Sequence, residues 1–191
     1  MTLPKLQWYW WVVGIILLSS GTYGTVKLVQ YLTETEEKRI NAMNARAGEA
    51  LRKLISTLQA EGIRTFVGNT VRTKEDSDRF VAEGKASANL KHDWHTIGRA
   101  VDLYIFDPVA KKVDFTGQMI DQIRRMHVVA KQQGWTSIAF NPDGTKHYLK
   151  GAKGPVWDAG HLQWTDGMTF DAAVAQAENY DYDLSWVPNK A

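Results

Sequence analysis

The chain has 191 residues, 44% of them hydrophobic, enough for one domain with a real core plus an appendage. Lys and Arg number 23 against 21 acidic residues, a net charge of +2, and no Lys/Arg cluster forms a phosphate track, so nucleic acid is not an expected partner. Cysteine is absent, which excludes disulfides, thiol nucleophiles and thiolate metal sites and leaves His, Asp and Glu as the strong ligands.

In chain order, the first feature is Leu6 to Val26, LQWYWWVVGIILLSSGTYGTV. It carries no charge and approaches the roughly 20 residues that cross a bilayer as a helix. Trp8, Tyr9, Trp10 and Trp11 crowd its start while Tyr23 and Tyr31 lie near its end, as in the aromatic belts of membrane interfaces. A cleaved signal peptide, with Ser19-Ser20-Gly21 near the cleavage site, is the competing reading; the length of the apolar stretch favours an uncleaved anchor. In both readings Lys5 stays inside and everything after Lys27 is exported. Gly14, Ser19, Ser20, Gly21, Thr22, Gly24 and Thr25 make the anchor a marginal one.

Thr33-Glu34-Thr35-Glu36 fits a capping box, and Ile40, Met43, Ala47, Leu51, Leu54 and Leu58 follow at spacings of three or four. The spacing predicts one long amphipathic helix ending near Gly62, its charged first half a stalk and its second half packed on the domain. The expected organisation is residues 1–27 as a transmembrane signal-anchor, 28–47 as a charged helical stalk and 48–191 as the exported domain. Within that domain come a short strand or loop over IRTFVGNTVRT, a helix over KEDSDRFVAEGKA, a strand around Asp102, and a helix from about Thr116 to Gln133. Asn141-Pro142-Asp143-Gly144 marks a turn between two candidate strands, and Asp158 to Trp164 reads as a last short strand. Mixed helices and short strands without an internal repeat make the fold class α+β.

The strand Ala100 to Phe106, AVDLYIF, has the apolar, β-forming composition of a strand buried on both faces, apart from Asp102. An unpaired carboxylate there costs on the order of several kcal/mol, so it is neutralised or holds something positive. His95 precedes it, with Gly98 between them to turn the chain into the strand. Alone, this pair is read more readily as a surface histidine and an aspartate paired with an arginine such as Arg99. The segment VWDAGHLQW, Val156 to Trp164, adds a second histidine, His161, with Asp158 three residues earlier. Two histidines and an aspartate are three of the four positions of a tetrahedral zinc site, and a catalytic zinc keeps the fourth for water.

The pairing of HDWHTIGRAVDL with WDAGHLQW resembles the zinc peptidases of the D-alanyl-D-alanine carboxypeptidase and L-alanyl-D-glutamate endopeptidase family, which share a fold with lysostaphin-type peptidases and the hedgehog signalling domain. The resemblance covers roughly Gly48 to Trp164. It implies a small antiparallel sheet with flanking helices, a Zn2+ cofactor held by His95, Asp102 and His161, and Asp158 as catalytic base. It further implies that Arg72, in Thr70-Val71-Arg72-Thr73, binds substrate or the oxyanion. The family serine two residues before the first ligand is Asp93 here, an added negative charge that would bear on substrate preference.

The implied partners are peptidoglycan stem peptides, with an L-Ala-D-Glu endopeptidase favoured over a D-Ala-D-Ala carboxypeptidase, and the lipid bilayer through residues 6–26. The setting is a bacterial inner membrane, crossed once, with the C-terminal domain in the periplasm. A marginal anchor on such an enzyme suggests a phage or prophage endolysin that is later released to the periplasm. A membrane-tethered, catalytically silent wall-binding module is the alternative, and Asp158 beside all three ligands argues against it.

Among the remaining candidates, Gln163 would share a strand face with His161 and orient a ligand or substrate. Trp94, Trp157 and Trp164 would wall the site, Trp157 as a substrate contact. His92 is the rival ligand if its stretch is helical. His127 is expected to pack at a boundary and His147 to be solvated.

Overall fold

The computed structural model describes residues 35–83, 93–107, 109–110, 112–114, 117–151 and 154–175. The apolar run Leu6–Val26, the start of the capping box and His92 lie outside them. Among the described residues no helix is long and apolar enough to cross a membrane. The chain divides into two units, residues 1–38 and 39–191; of the first, 35–38 are described and are helical.

In the second unit the expected single helix is broken. Asn44 has a non-helical ψ of 135°, and its side-chain oxygen accepts from the backbone of Arg46 and Ala47. It thereby caps a new helix, α1, Ala45–Ala60. An asparagine N-cap supplies the acceptor that the first free N–H groups of a helix need. The Asn44 N–H itself donates to the Gly98 carbonyl at 3.0 Å. The break folds Ile40 and Met43, assigned by spacing to the stalk, into the core, where each is 4% exposed.

The other elements of this unit are β1 (Thr65–Val67), α2 (Lys74–Glu83), a single 3-10 turn (Trp94–Ile97), β2 (Ala100–Asp107) and β3 (Lys112–Asp114). They are followed by α3 (Ile120–Gln132), β4 (Thr136–Ser137), β5 (Leu149–Gly151), β6 (Gly154–Val156), β7 (His161–Gln163) and α4 (Phe170–Ala175). The expected α+β architecture, a small antiparallel sheet with helices beside it, is the one adopted. Its order is β1-β2-β7-β4, with β3 on the far end of β2, and every pairing is antiparallel. The Asn-Pro-Asp-Gly turn forms, with Gly144 at φ 80°, but the expected strands around it shrink to a Phe140–Lys146 bridge.

Strand alternation divides the sheet into two faces. Val101, Leu103 and Ile105 of β2 and Leu162 of β7 join Leu51, Leu54 and Leu58 of α1 and Ile123, Met126 and Val129 of α3 in one core. Asp102 and Tyr104, and His161 and Gln163, alternate with these residues and so take the other face. The register sets Asp102 directly opposite His161, so one cross-strand pair carries two of the three expected ligands.

Candidate metal centre and active site

Backbone geometry delivers the third expected ligand. His95 lies in the 3-10 turn that Gly98 ends at φ 64°, in the left-handed region that favours glycine. Asp93 caps the turn by accepting from the His95 N–H at 3.1 Å. The turn begins at Trp94, with Asp93 extended before it; the rival His92 lies outside the described residues, and His95 faces the cluster.

His95, Asp102 and His161 are all buried and offer ligand atoms within 4.8 Å of one another. The spacings are 3.2 Å from His95 Nε2 to Asp102 Oδ1, 3.6 Å from His161 Nδ1 to the same oxygen, and 3.3 Å between the two nitrogens. A tetrahedral zinc with bonds near 2.0–2.1 Å has donor–donor edges of about 3.3 Å. The donor triangle therefore fits one face of such a tetrahedron, with two imidazoles and a carboxylate as the ligand set.

Each candidate ligand is oriented from behind, as metal-bound histidines and carboxylates generally are. The His95 Nδ1–H donates to the Thr70 carbonyl at 2.8 Å, which leaves Nε2 bare toward the cluster. The His161 Nε2–H donates to Gln163 Oε1 at 3.3 Å, which turns Nδ1 inward; Gln163 thus contacts a ligand. Asp102 points Oδ1 at the histidines and gives Oδ2 to Asn69 Nδ2 at 3.0 Å and Arg72 Nη2 at 3.3 Å. Burial opposes its charge, but the His95 and His161 imidazoles outweigh burial and hold the carboxyl well below its usual range. For His161, burial opposes protonation, while the Asp102 hydrogen bond and the Asp158 charge raise its pKa to about 9 in the metal-free site.

Asp158 stands in the loop before β7, its Oδ2 3.9 Å from His161 Nδ1 and its side chain 29% exposed. Burial raises its pKa, with the Asp102 charge acting in the same direction and His161 against it. An accessible carboxylate beside the donor triangle, with a raised pKa, has the properties of a general acid–base.

Arg72 lies against the candidate ligand Asp102. Its Nη1 pairs with Asp93 at 3.2 Å and its Nη2 with Asp102 at 3.3 Å, and its guanidinium lies 5.1 Å from the Phe80 ring. Ten per cent of the side chain is exposed. The guanidinium backs the ligand carboxylate, and Asp93, standing where the family has serine, both caps the 3-10 turn and anchors this arginine. Burial opposes the Asp93 charge, but His95 and Arg72 outweigh it and lower the pKa.

The tryptophans expected to wall the site make their described contacts elsewhere. Trp94 meets Phe170 edge-on at 5.5 Å and Trp164 packs on Trp135 at 5.4 Å. Trp157 donates to the Ala139 carbonyl and carries the Lys146 ammonium over its ring at 3.9 Å. Arg99, the bland partner for Asp102, is buried without a hydrogen bond to its Nε or Nη1. His147 is half-buried, its Nδ1 2.8 Å from the Ile138 carbonyl.

His127 is buried, and it supports the site. Its Nε2–H donates to the Ala159 carbonyl at 2.8 Å while Ser137 donates to its Nδ1 at 2.6 Å, pinning the loop between Asp158 and His161. Asn69, Thr70 and this second role of His127 escape the sequence reading because their contacts are long-range.

Neither a family model nor a curated protein sequence matches the chain. Among solved structures it is similar to the Serratia marcescens L-Ala D-Glu endopeptidase ChiX, at 18% identity and a TM-score of 0.47, over 68% of this chain and 86% of that one. It is also similar to VanYB in complex with D-alanine-D-alanine, at 19% identity and a TM-score of 0.42, over 69% of this chain and 75% of that one. A variant of the vancomycin resistance D,D-pentapeptidase VanY in complex with Zn(II) aligns at 17% identity and a TM-score of 0.46, over 72% and 79% of the two chains.

Proposed function

We propose that the chain is a zinc-dependent peptidoglycan peptidase that hydrolyses stem peptides. One observation carries the reading: the 3.2, 3.3 and 3.6 Å donor triangle of His95, Asp102 and His161, beside a partly exposed carboxylate of raised pKa at Asp158. A zinc ion bound there supplies Lewis acidity, which makes hydroxide available near neutral pH and draws charge from a carbonyl oxygen. Asp158 takes a proton from the attacking water as the new C–O bond forms and returns it to the amine nitrogen as the peptide C–N bond breaks. Thr70, Gln163, Asn69 and Arg72 fix the ligand orientations before substrate arrives.

The finer reading rests on the motif resemblance and the apolar N-terminal run. Cleavage falls between L-Ala and D-Glu; the domain is tethered in the periplasm by residues 6–26; and the chain serves a phage or prophage as an endolysin. Incubating the zinc-loaded full-length protein with purified sacculi tests the chemistry. New amino groups should appear, stop on chelation, and be located by mass spectrometry at D-Glu. Zinc-loaded protein that binds sacculi and releases nothing would instead make the chain a binding module.

A further inference from the structure

The resemblance gives Arg72 substrate or oxyanion binding, but that guanidinium is held by Asp93 and, on the oxygen turned away from the histidines, by Asp102. A candidate to take over the duty stands on the site face of β2. Tyr104 lies two residues after Asp102 in an extended strand, so the two side chains rise from the same face.

The ring is clamped between two glycines. A Cβ at Gly68 would sit 2.7 Å from Tyr104 Cε2, and one at Gly160 would sit 2.8 Å from Cε1. Gly68 N–H donates to the Asp102 carbonyl at 2.8 Å and Leu103 N–H donates to the Gly160 carbonyl at 2.9 Å, so the two glycines flank β2 from either side. Neither has a positive φ, so what each glycine supplies is space for this ring. A ring gripped at both Cε atoms has little lateral freedom. Gly160 belongs to the loop that carries Asp158 and His161, and the phenol feels the charges of Asp102, Asp158 and Arg72. An ordinary phenol titrates near 10, so at neutral pH the hydroxyl is protonated and a donor.

We propose that Tyr104 is a catalytic residue of this site, its O–H donating a hydrogen bond to the carbonyl oxygen of the scissile peptide as negative charge develops there. The inference rests on the peptidase reading. No proton leaves the phenol: the carbonyl oxygen gains charge as the water oxygen bonds to carbon, and loses it when the C–N bond breaks. A donor fixed before the reaction is worth more in such a site than in water, because it need not reorganise.

Y104F keeps the clamped ring and removes the donor. In the zinc-loaded full-length protein acting on a soluble stem peptide, kcat should fall by about 10²-fold, the usual loss for one oxyanion donor, with KM and zinc content little changed. A phosphinate analogue of the same peptide, which carries the charged oxygen, should lose affinity by a similar factor. Wild-type turnover matched within twofold by Y104F would overturn the role of Tyr104 and leave the peptidase reading standing. Wild-type protein that holds zinc and cuts no stem peptide would overturn both.

Discussion

Asn69 donates from Nδ2 to Oδ2 of Asp102 at 3.0 Å, and the partition of that carboxylate organises the site. One oxygen faces the two histidines while the other is held by Asn69 and Arg72. A carboxylate with both oxygens assigned cannot rotate, so its inward oxygen is fixed before a metal arrives.

Asn69→Ala should therefore weaken zinc binding by roughly 10–100-fold, the usual effect of losing a group that orients a ligand. The measurement is competition against a chromophoric chelator. Unchanged affinity with an intact fold would show that Arg72 alone orients Asp102.

What the sequence revealed depended on how local the signal was. His95, Asp102, Asp158 and His161 stand in two short segments whose spacings survive without knowledge of the fold, and the register of β2 with β7 then joins the segments. Asn69 and the Thr70 carbonyl reach the site from a stretch with no periodicity, across contacts that only the sheet creates. The glycine clamp on Tyr104 was not legible, since a sequence does not tell a glycine kept for space, as at Gly68 and Gly160, from one kept for a positive φ. The break at Asn44 was legible, because asparagine ahead of Ala-Arg-Ala-Gly is a preferred N-cap; the three-and-four spacing running through it hid the signal.

Removing the two imidazoles tests the metal assignment. Wild-type protein should hold about one zinc per chain, and a His95→Ala, His161→Ala double variant should hold essentially none after dialysis. Elemental analysis decides it; stoichiometric zinc in the double variant would place the metal elsewhere.

Asp158→Asn separates base from ligand. The carboxylate lies beside the donor triangle and outside it, so the variant should keep zinc and fold while turnover falls on the order of a hundredfold or more. A zinc-loaded variant with near-normal kcat would remove Asp158 from the proton transfer.

Asp93 differs from the family serine in one physical respect. Serine can cap the 3-10 turn but cannot pair with Arg72, so Asp93→Ser should keep the turn while leaving Arg72 without its Asp93 partner. Losing one partner of a buried pair costs up to about 3 kcal/mol, and Asp93→Ala should cost about 1 kcal/mol more by removing the cap as well. Denaturant unfolding measures both. Equal stability of the serine variant and wild type would mean that the ion pair only offsets its own desolvation.

The pH dependence of stability should carry the signature of His127. Burial lowers its pKa to about 4, with the charge of His161 acting in the same direction and the Ala159 carbonyl opposing. An unfolded histidine titrates near 6.5. Between those two values the unfolded chain binds a proton that the folded chain refuses, so stability is complete above about pH 6.5 and declines as pH falls toward 4. The full decline is on the order of 3 kcal/mol. His127→Gln retains an amide donor for the Ala159 carbonyl and has no such titration. The stability difference between wild type and this variant, both measured in chelator, should therefore move against wild type as pH falls from 7 to 4. A difference that stays flat across that window would mean that the folded chain protonates His127 as readily as the unfolded one. In that case the loop holding Asp158 and His161 would be pinned by an imidazolium, and the Ser137 hydroxyl would have to accept from Nδ1 instead of donating to it.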